Sequence, residues 1–142
     1  RLGEITQEAH FLDCPVLGMI YPRGENLEIM EGDDTQGAAH AARLAFELGC
    51  DVVKTKWTGS VESFQKVTSA VPIPVLIAGG PTGSTTEETL TIVHQAMQAG
   101  GGGVCMGRSV FSHESPAKMV TALRAIIHDG ADVNQAIESA GL

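Results

Sequence analysis

The sequence predicts an α/β protein built on a parallel sheet, and three observations carry that reading. Short runs rich in Val, Ile and Leu, at 15–21, 51–56, 74–80 and 104–107, alternate with longer segments whose apolar residues recur at helical spacing. The repeat is about 25 to 35 residues, the length of one strand, one helix and their turns. Gly and Ala are abundant and aromatic residues make up only 4%, which suits helices lying close on strands.

Residues 1–13 read as the end of a helix, with Ile5, Ala9 and Leu12 at helical spacing. Pro15-Val16-Leu17-Gly18-Met19-Ile20-Tyr21 is a continuous apolar run opening on a proline, as a buried parallel strand would be. The loop Pro22-Arg23-Gly24-Glu25-Asn26 ends it. Asp33-Asp34-Thr35 starts a helix with a small-residue stripe of Ala38, Ala41, Ala42, Ala45 and Leu48, and Gly49 stops it.

Asp51-Val52-Val53-Lys54-Thr55-Lys56 follows as the second strand. Ser60-x-x-Ser63 opens a helix with Val61, Phe64, Val67 and Val71 on one face. Pro74-Val75-Leu76-Ile77-Ala78-Gly79-Gly80 is the third strand, and Thr85-x-x-Glu88 is a capping box for a helix faced by Leu90, Val93, Ala96 and Met97. Gly100 to Gly103 lead into the fourth strand, Val104-Cys105-Met106-Gly107, ending at Arg108-Ser109. Ser115-Pro116 opens a helix with Met119, Val120, Leu123 and Ile126 inward and Gly130 closing it. Asp132-x-x-Gln135 caps a last helix carrying Val133, Ala136, Ile137 and Ala140.

Strict alternation of strands and helices implies a parallel sheet. Four such units can form an open doubly wound sheet or half of a (β/α)8 barrel. The opening in the tail of a helix favours the half barrel. The 142 residues make one domain with room for a core.

A net charge of −8 argues against nucleic acid or an anionic membrane as the main partner. No apolar run approaches the ~20 residues of a membrane span. Arg1-Leu2-Gly3-Glu4 shows no signal-peptide pattern and no initiator Met, so a cytoplasmic location is expected. Cys14, Cys50 and Cys105 are far apart and read as reduced thiols, and the five histidines show no ligand spacing.

In parallel α/β architectures chemistry gathers at the carboxyl ends of the strands. Those ends offer Tyr21 with Arg23, Lys54 with Lys56, Gly79-Gly80, and Gly107-Arg108. Lysine is rare in a buried strand, and two residues apart Lys54 and Lys56 share a face. A neighbouring cation and burial both disfavour an ammonium, and a neutral lysine can form a Schiff base with a carbonyl. Lys54 reads equally as an ion-paired core lysine and Lys56 as a solvated rim residue. Gly79, Gly80, Gly107 and Arg108 suit a phosphate, because glycines let backbone N–H groups approach closely and Arg adds a bidentate donor. Tyr21 is either a proton-passing phenol or a rim residue. Trp57 reads as packing rather than a pocket wall.

Four segments are more specific. Met19-Ile20-Tyr21-Pro22-Arg23-Gly24, Asp51-Val52-Val53-Lys54-Thr55-Lys56-Trp57-Thr58-Gly59, Ile77-Ala78-Gly79-Gly80-Pro81 and Met106-Gly107-Arg108-Ser109-Val110-Phe111 resemble the archaeal-type class I fructose-bisphosphate aldolases. That family includes the aminodideoxyheptulosonate synthases and the autoinducer-2 thiolase. The resemblance covers nearly the whole chain.

It implies the last four βα units of a TIM (β/α)8 barrel, with residues 1–142 as the barrel's C-terminal half. It implies a metal-independent carbon–carbon lyase without cofactor, with Lys54 as the Schiff-base lysine and Tyr21 as the proton-transfer residue. Gly79, Gly80, Gly107 and Arg108 would hold a substrate phosphate and Arg23 a second one.

The implied substrate is a phosphorylated ketose such as fructose 1,6-bisphosphate. The alternatives are the aminodideoxyheptulosonate synthase-type transaldol reaction, which makes a precursor sugar of the aromatic amino acids, and a non-catalytic phosphosugar-binding module. Lys56-Trp57-Thr58-Gly59 departs from the thiolase branch. The family's ring-shaped homo-oligomers, often decamers, set the expected assembly. Its first-strand Asp has no counterpart here, so the expectation is a fragment or a truncated protein that needs the other half of the barrel for activity.

Overall fold

A computed structural model of the chain describes residues 1–23, 34–79 and 85–142. Helix α1 (Leu2–Phe11) leads into strand β1 (Leu17–Met19), and α2 (Thr35–Glu47) into β2 (Val52–Thr55). Then come α3 (Val61–Thr68), β3 (Val75–Ala78), α4 (Thr86–Gln98), β4 (Gly103–Cys105), a single-turn α5 (Arg108–Phe111), α6 (Pro116–Asp129) and α7 (Val133–Ala140). The expected loop residues Gly24, Glu25 and Asn26, the helix-start residue Asp33, and Gly80 and Pro81 after the third strand lie outside the described residues.

The four strands form one parallel sheet in the order β1-β2-β3-β4. Sequential order decides the architecture. Right-handed crossovers that always step the same way keep every connecting helix on one face, which is barrel winding; a doubly wound sheet must reverse direction. The chain is therefore four consecutive units of a (β/α) barrel.

Alternation along the strands gives each face its character. Val53, Thr55, Val75 and Ile77 are buried beneath the helices with Ala38, Ala42, Ala45, Phe64, Leu90 and Val93. Gly18 faces the same way because a Cβ there would lie 2.8 Å from Cys50 Sγ. The opposite parity carries Leu17, Met19, Val52, Lys54 and Leu76, and Met19 is 62% exposed.

Helix ends follow the sequence signals closely. Ser60, Thr85 and Asp132 each make a reciprocal capping box with Ser63, Glu88 and Gln135. Gly49 ends α2 at φ 88°, with Cys50 N donating to Ala45 O and Gly49 N to Phe46 O, a Schellman motif.

Three expected faces shift. In α1 the docked stripe is Leu2, Thr6 and Ala9, leaving Ile5 exposed; Thr6 Oγ1 donates to Leu48 O at 2.6 Å, so a polar contact rather than Ile5 anchors this helix. In α6 Val120 is exposed and Ala122 completes the stripe of Met119, Leu123 and Ile126, because Val120 lies about 100° round the helix from Met119. Val71 is buried but follows the end of α3. Arg108-Ser109, expected as the end of a strand, instead opens α5, and β4 is correspondingly short.

At the amino ends of the strands, Asp51 ties three elements together. Its Oδ2 accepts from Val16 N at 2.7 Å and from His10 Nε2 at 3.1 Å. The Val16 amide above all, with His10, holds the carboxyl below its ordinary value near 3.8. A carboxylate favoured in the fold stabilises it above the unfolded-state pKa, and that contribution disappears as pH falls through the lower folded value. The stability difference between wild type and Asp51→Asn is therefore expected to be constant above about pH 5 and to shrink on acidification, read by urea unfolding across pH 2.5 to 7 as an estimated window.

Thr55 is fully buried, and its Oγ1 has no hydrogen-bond partner among the described residues. Thr55→Val keeps the shape and removes the stranded hydroxyl. It is expected to raise the unfolding free energy by about 1 kcal/mol in the same assay.

Candidate active site

Val53 and Thr55 are pinned under the helices, so Lys54 between them must project from the opposite face of β2. Its strand is interior to the sheet: Lys54 is level with Met19 on β1 and Leu76 on β3. Lys54 O accepts from Ile20 N at 3.2 Å, which carries the chain on to Tyr21, just past the end of β1. Lys54 and Tyr21 are both half-buried, while Arg23 is exposed.

Lys56, past the end of β2, is ion-paired with Asp34. Asp34 occupies the N-cap position of α2, yet its carboxylate makes no cap hydrogen bond and serves Lys56 instead. The expected influence of Lys56 on Lys54 is therefore that of a paired charge rather than a lone cation. Trp57 packs on Phe64 with ring centroids 5.2 Å apart, which agrees with a packing role. The Cys50 thiol is pushed up by burial and then by Asp51, so it is no nucleophile candidate.

The ends of β3 and β4 converge. A Cβ added at Gly79 would sit 3.0 Å from Ser109 Oγ and 3.5 Å from Met106 Cγ. Gly107 is exposed and a Cβ there would meet nothing within 4 Å among the described residues, and Arg108, the first residue of α5, is exposed. Gly79 thus keeps two strand ends in contact. Gly80 lies outside the described residues. Among the described residues no group of three His, Cys, Asp or Glu side chains is arranged to hold a metal ion, and no helix is long and apolar enough to cross a membrane.

The sequence reading did not single out Asp34 or Ser109. Neither carries a signal of its own; each matters through what the fold brings beside it.

The family model of DeoC/LacD family aldolases matches residues 1–113. The chain belongs to this aldolase family. It is 45% identical, over 99% of its length, to the 2-amino-3,7-dideoxy-D-threo-hept-6-ulosonate synthase of Halobacterium salinarum.

Among solved structures it is similar to an archaeal fructose 1,6-bisphosphate aldolase, with a TM-score of 0.82, 35% identity and 91% of the chain covered. It is also similar to a Schiff base-forming fructose-1,6-bisphosphate aldolase, with a TM-score of 0.81, 34% identity and 89% covered. The chain spans 52%, 51% and 50% of those three proteins, about half of each. Membership agrees with the resemblance carried by the four sequence segments, and the barrel-type neighbours agree with the winding of the sheet.

Proposed function

We propose that this chain supplies the lysine-bearing C-terminal half of a Schiff-base aldolase barrel acting on a phosphorylated ketose such as fructose 1,6-bisphosphate. The observation that carries the proposal is Lys54, half-buried on the interior strand and turned away from the helices in a member of an aldolase family. In this reading the Lys54 amine adds to the ketose carbonyl and water departs, leaving an iminium. The iminium draws in the electrons of the bond between its adjacent carbon and the hydroxyl-bearing carbon beyond; as that bond breaks the hydroxyl gives up its proton, leaving an enamine and the aldehyde product. Tyr21 passes the proton that enters or leaves at the carbon beside the imine. The electron sink is the iminium, so the step is metal-independent and needs no cofactor.

Gly79, Gly80, Gly107 and Arg108 hold the phosphate next to the reacting carbonyl, and Arg23 meets a second one. The exposure of Gly107 and Arg108 and the convergence of Gly79 with Ser109 support that seat. The assembled protein is a ring-shaped cytoplasmic homo-oligomer.

A second reading, the aminodideoxyheptulosonate synthase-type transaldol reaction, is favoured by the higher identity to the Halobacterium synthase. Parallel assays of the full-length protein with fructose 1,6-bisphosphate alone, and with the synthase's paired substrates, separate the two.

Borohydride reduction in the presence of dihydroxyacetone phosphate is expected to add the reduced ketose to Lys54, located by peptide mass spectrometry. Lys54→Met is expected to give no adduct and no aldol activity. An unmodified Lys54 in full-length protein that still binds the phosphosugar would leave a non-catalytic binding module as the function.

A further inference from the structure

Lys56 and Asp34 form an ion pair at the carboxyl end of β2, and packed neighbours hold each of them in place. Lys56 follows Lys54 by two residues, the spacing that returns a side chain to the same face of an extended chain. Met19 is level with Lys54, so Tyr21, two residues beyond Met19, leaves the sheet at the height of Lys56. After Lys56, Trp57 packs on the fully buried Phe64, and Thr58 O accepts from Ser63 Oγ at 3.1 Å. Asp34 O accepts from Ala38 N at 3.0 Å, and Thr35, Gly37 and Ala38 are buried directly after it.

The pair does little for the fold. Asp132 caps α7 from extended backbone, at φ −73° and ψ 173°, whereas Asp34 lies at φ −84° and ψ 0°, in the helical region. The Asp34 carboxylate therefore forgoes the cap of α2, and an exposed ion pair adds little stability in its place. The Lys56 side chain is 35% exposed and that of Asp34 46%, so a ligand can reach both charges. A cation and an anion side by side, beyond Lys54 on the same strand, suit a group that carries both signs.

We infer that the Asp34–Lys56 pair determines specificity for the aldehyde partner of the reaction, selecting an α-amino-acid aldehyde over an aldehyde phosphate. This selection rests on the Schiff-base reading of Lys54 given above and favours its transaldol form. The aldehyde must meet the ketose-derived carbon beside the Lys54 imine, so its far end lies only a few bonds away. Two residues of extended chain span about 7 Å, which puts Lys56 within reach of a short aldehyde reacting there. Its carboxylate then meets the Lys56 ammonium and its own ammonium meets Asp34, two charge-assisted contacts. A phosphate in that place gains Lys56 but is set against the Asp34 carboxylate, and the like-charge contact works against it.

The test compares three aldehydes as acceptors for dihydroxyacetone phosphate in the full-length protein. They are 2-amino-4-oxobutanoate, 4-oxobutanoate, which lacks the ammonium, and glyceraldehyde 3-phosphate. Product formation is read as kcat/KM, and borohydride trapping of dihydroxyacetone phosphate on Lys54 measures the competent enzyme in each sample.

The wild type is expected to favour 2-amino-4-oxobutanoate over each of the others by about tenfold. Asp34→Asn keeps the shape, removes the charge and is expected to erase that preference. Lys56→Met is expected to lower kcat/KM for 2-amino-4-oxobutanoate about tenfold, and it reads the same pair if Asp34→Asn proves unfolded.

A preference unchanged by Asp34→Asn, or an equal fall for all three aldehydes, would overturn the role of the pair while trapping on Lys54 leaves the Schiff-base reading standing. A wild type that favours glyceraldehyde 3-phosphate would overturn it as well. Absence of trapping on Lys54 in the wild type would overturn the Schiff-base reading, and the selection by Asp34 and Lys56 with it.

Discussion

The in-register pairing of β2 with strands on both sides is the constraint on which this structure depends. Parallel pairing in sequential order makes every side chain's face a matter of parity. Once Val53 and Thr55 are packed beneath α2 and α3, Lys54 has one direction left, and Leu17, Met19, Val52 and Leu76 go with it. A slip of one residue would bury the ammonium among Ala38, Phe64 and Val67 and expose Val53. The cost of placing an unpaired charge in that apolar layer makes the register self-enforcing. The same parity buries Thr55, whose hydroxyl has no hydrogen-bond partner among the described residues.

Polar side chains then fasten the elements at both ends of the sheet. At the amino ends Asp51 gathers Val16 and His10, and Thr6 donates to the last carbonyl turn of α2, so α1 docks through hydrogen bonds more than through oil. At the carboxyl ends Asp34 meets Lys56, and His113 meets Thr86. The two sets differ in consequence. Those at the amino ends hold the scaffold, whereas those at the carboxyl ends lie among the turns that carry Tyr21, Gly79, Gly107 and Arg108. This is the division of labour general to parallel barrels, with stability at one end of the strands and chemistry at the other.

Much of this was legible in the residues. Capping boxes at Ser60, Thr85 and Asp132 use local geometry alone, since a hydroxyl or carboxylate reaches an amide three residues on wherever the helix lies. Gly49 and Gly130 stop helices for an equally local reason, the ease with which glycine takes a positive φ. Faces were less legible. The periodicity of α1 points to Ile5, but the helix docks on Thr6, because which stripe faces inward depends on the partner and not on the helix. Val120 fails for the same reason: it flanks the stripe of Met119, Ala122, Leu123 and Ile126, and only the neighbouring elements decide which flank is covered.

By itself the sequence determined the alternation of strands and helices, the helix ends, the family, and Lys54 as the residue of interest, all of which rest on local spacing or on segments of matched residues. Only the tertiary structure decided between an open doubly wound sheet and barrel winding, since both use the same βα units and differ only in which strand pairs with which. Only it brought Gly79 to Ser109, Lys56 to Asp34 and His113 to Thr86. Each of these contacts joins residues 22 to 30 positions apart or so, brought together by crossover connections, and no short-range pattern encodes which side chain will stand opposite once the strands have paired.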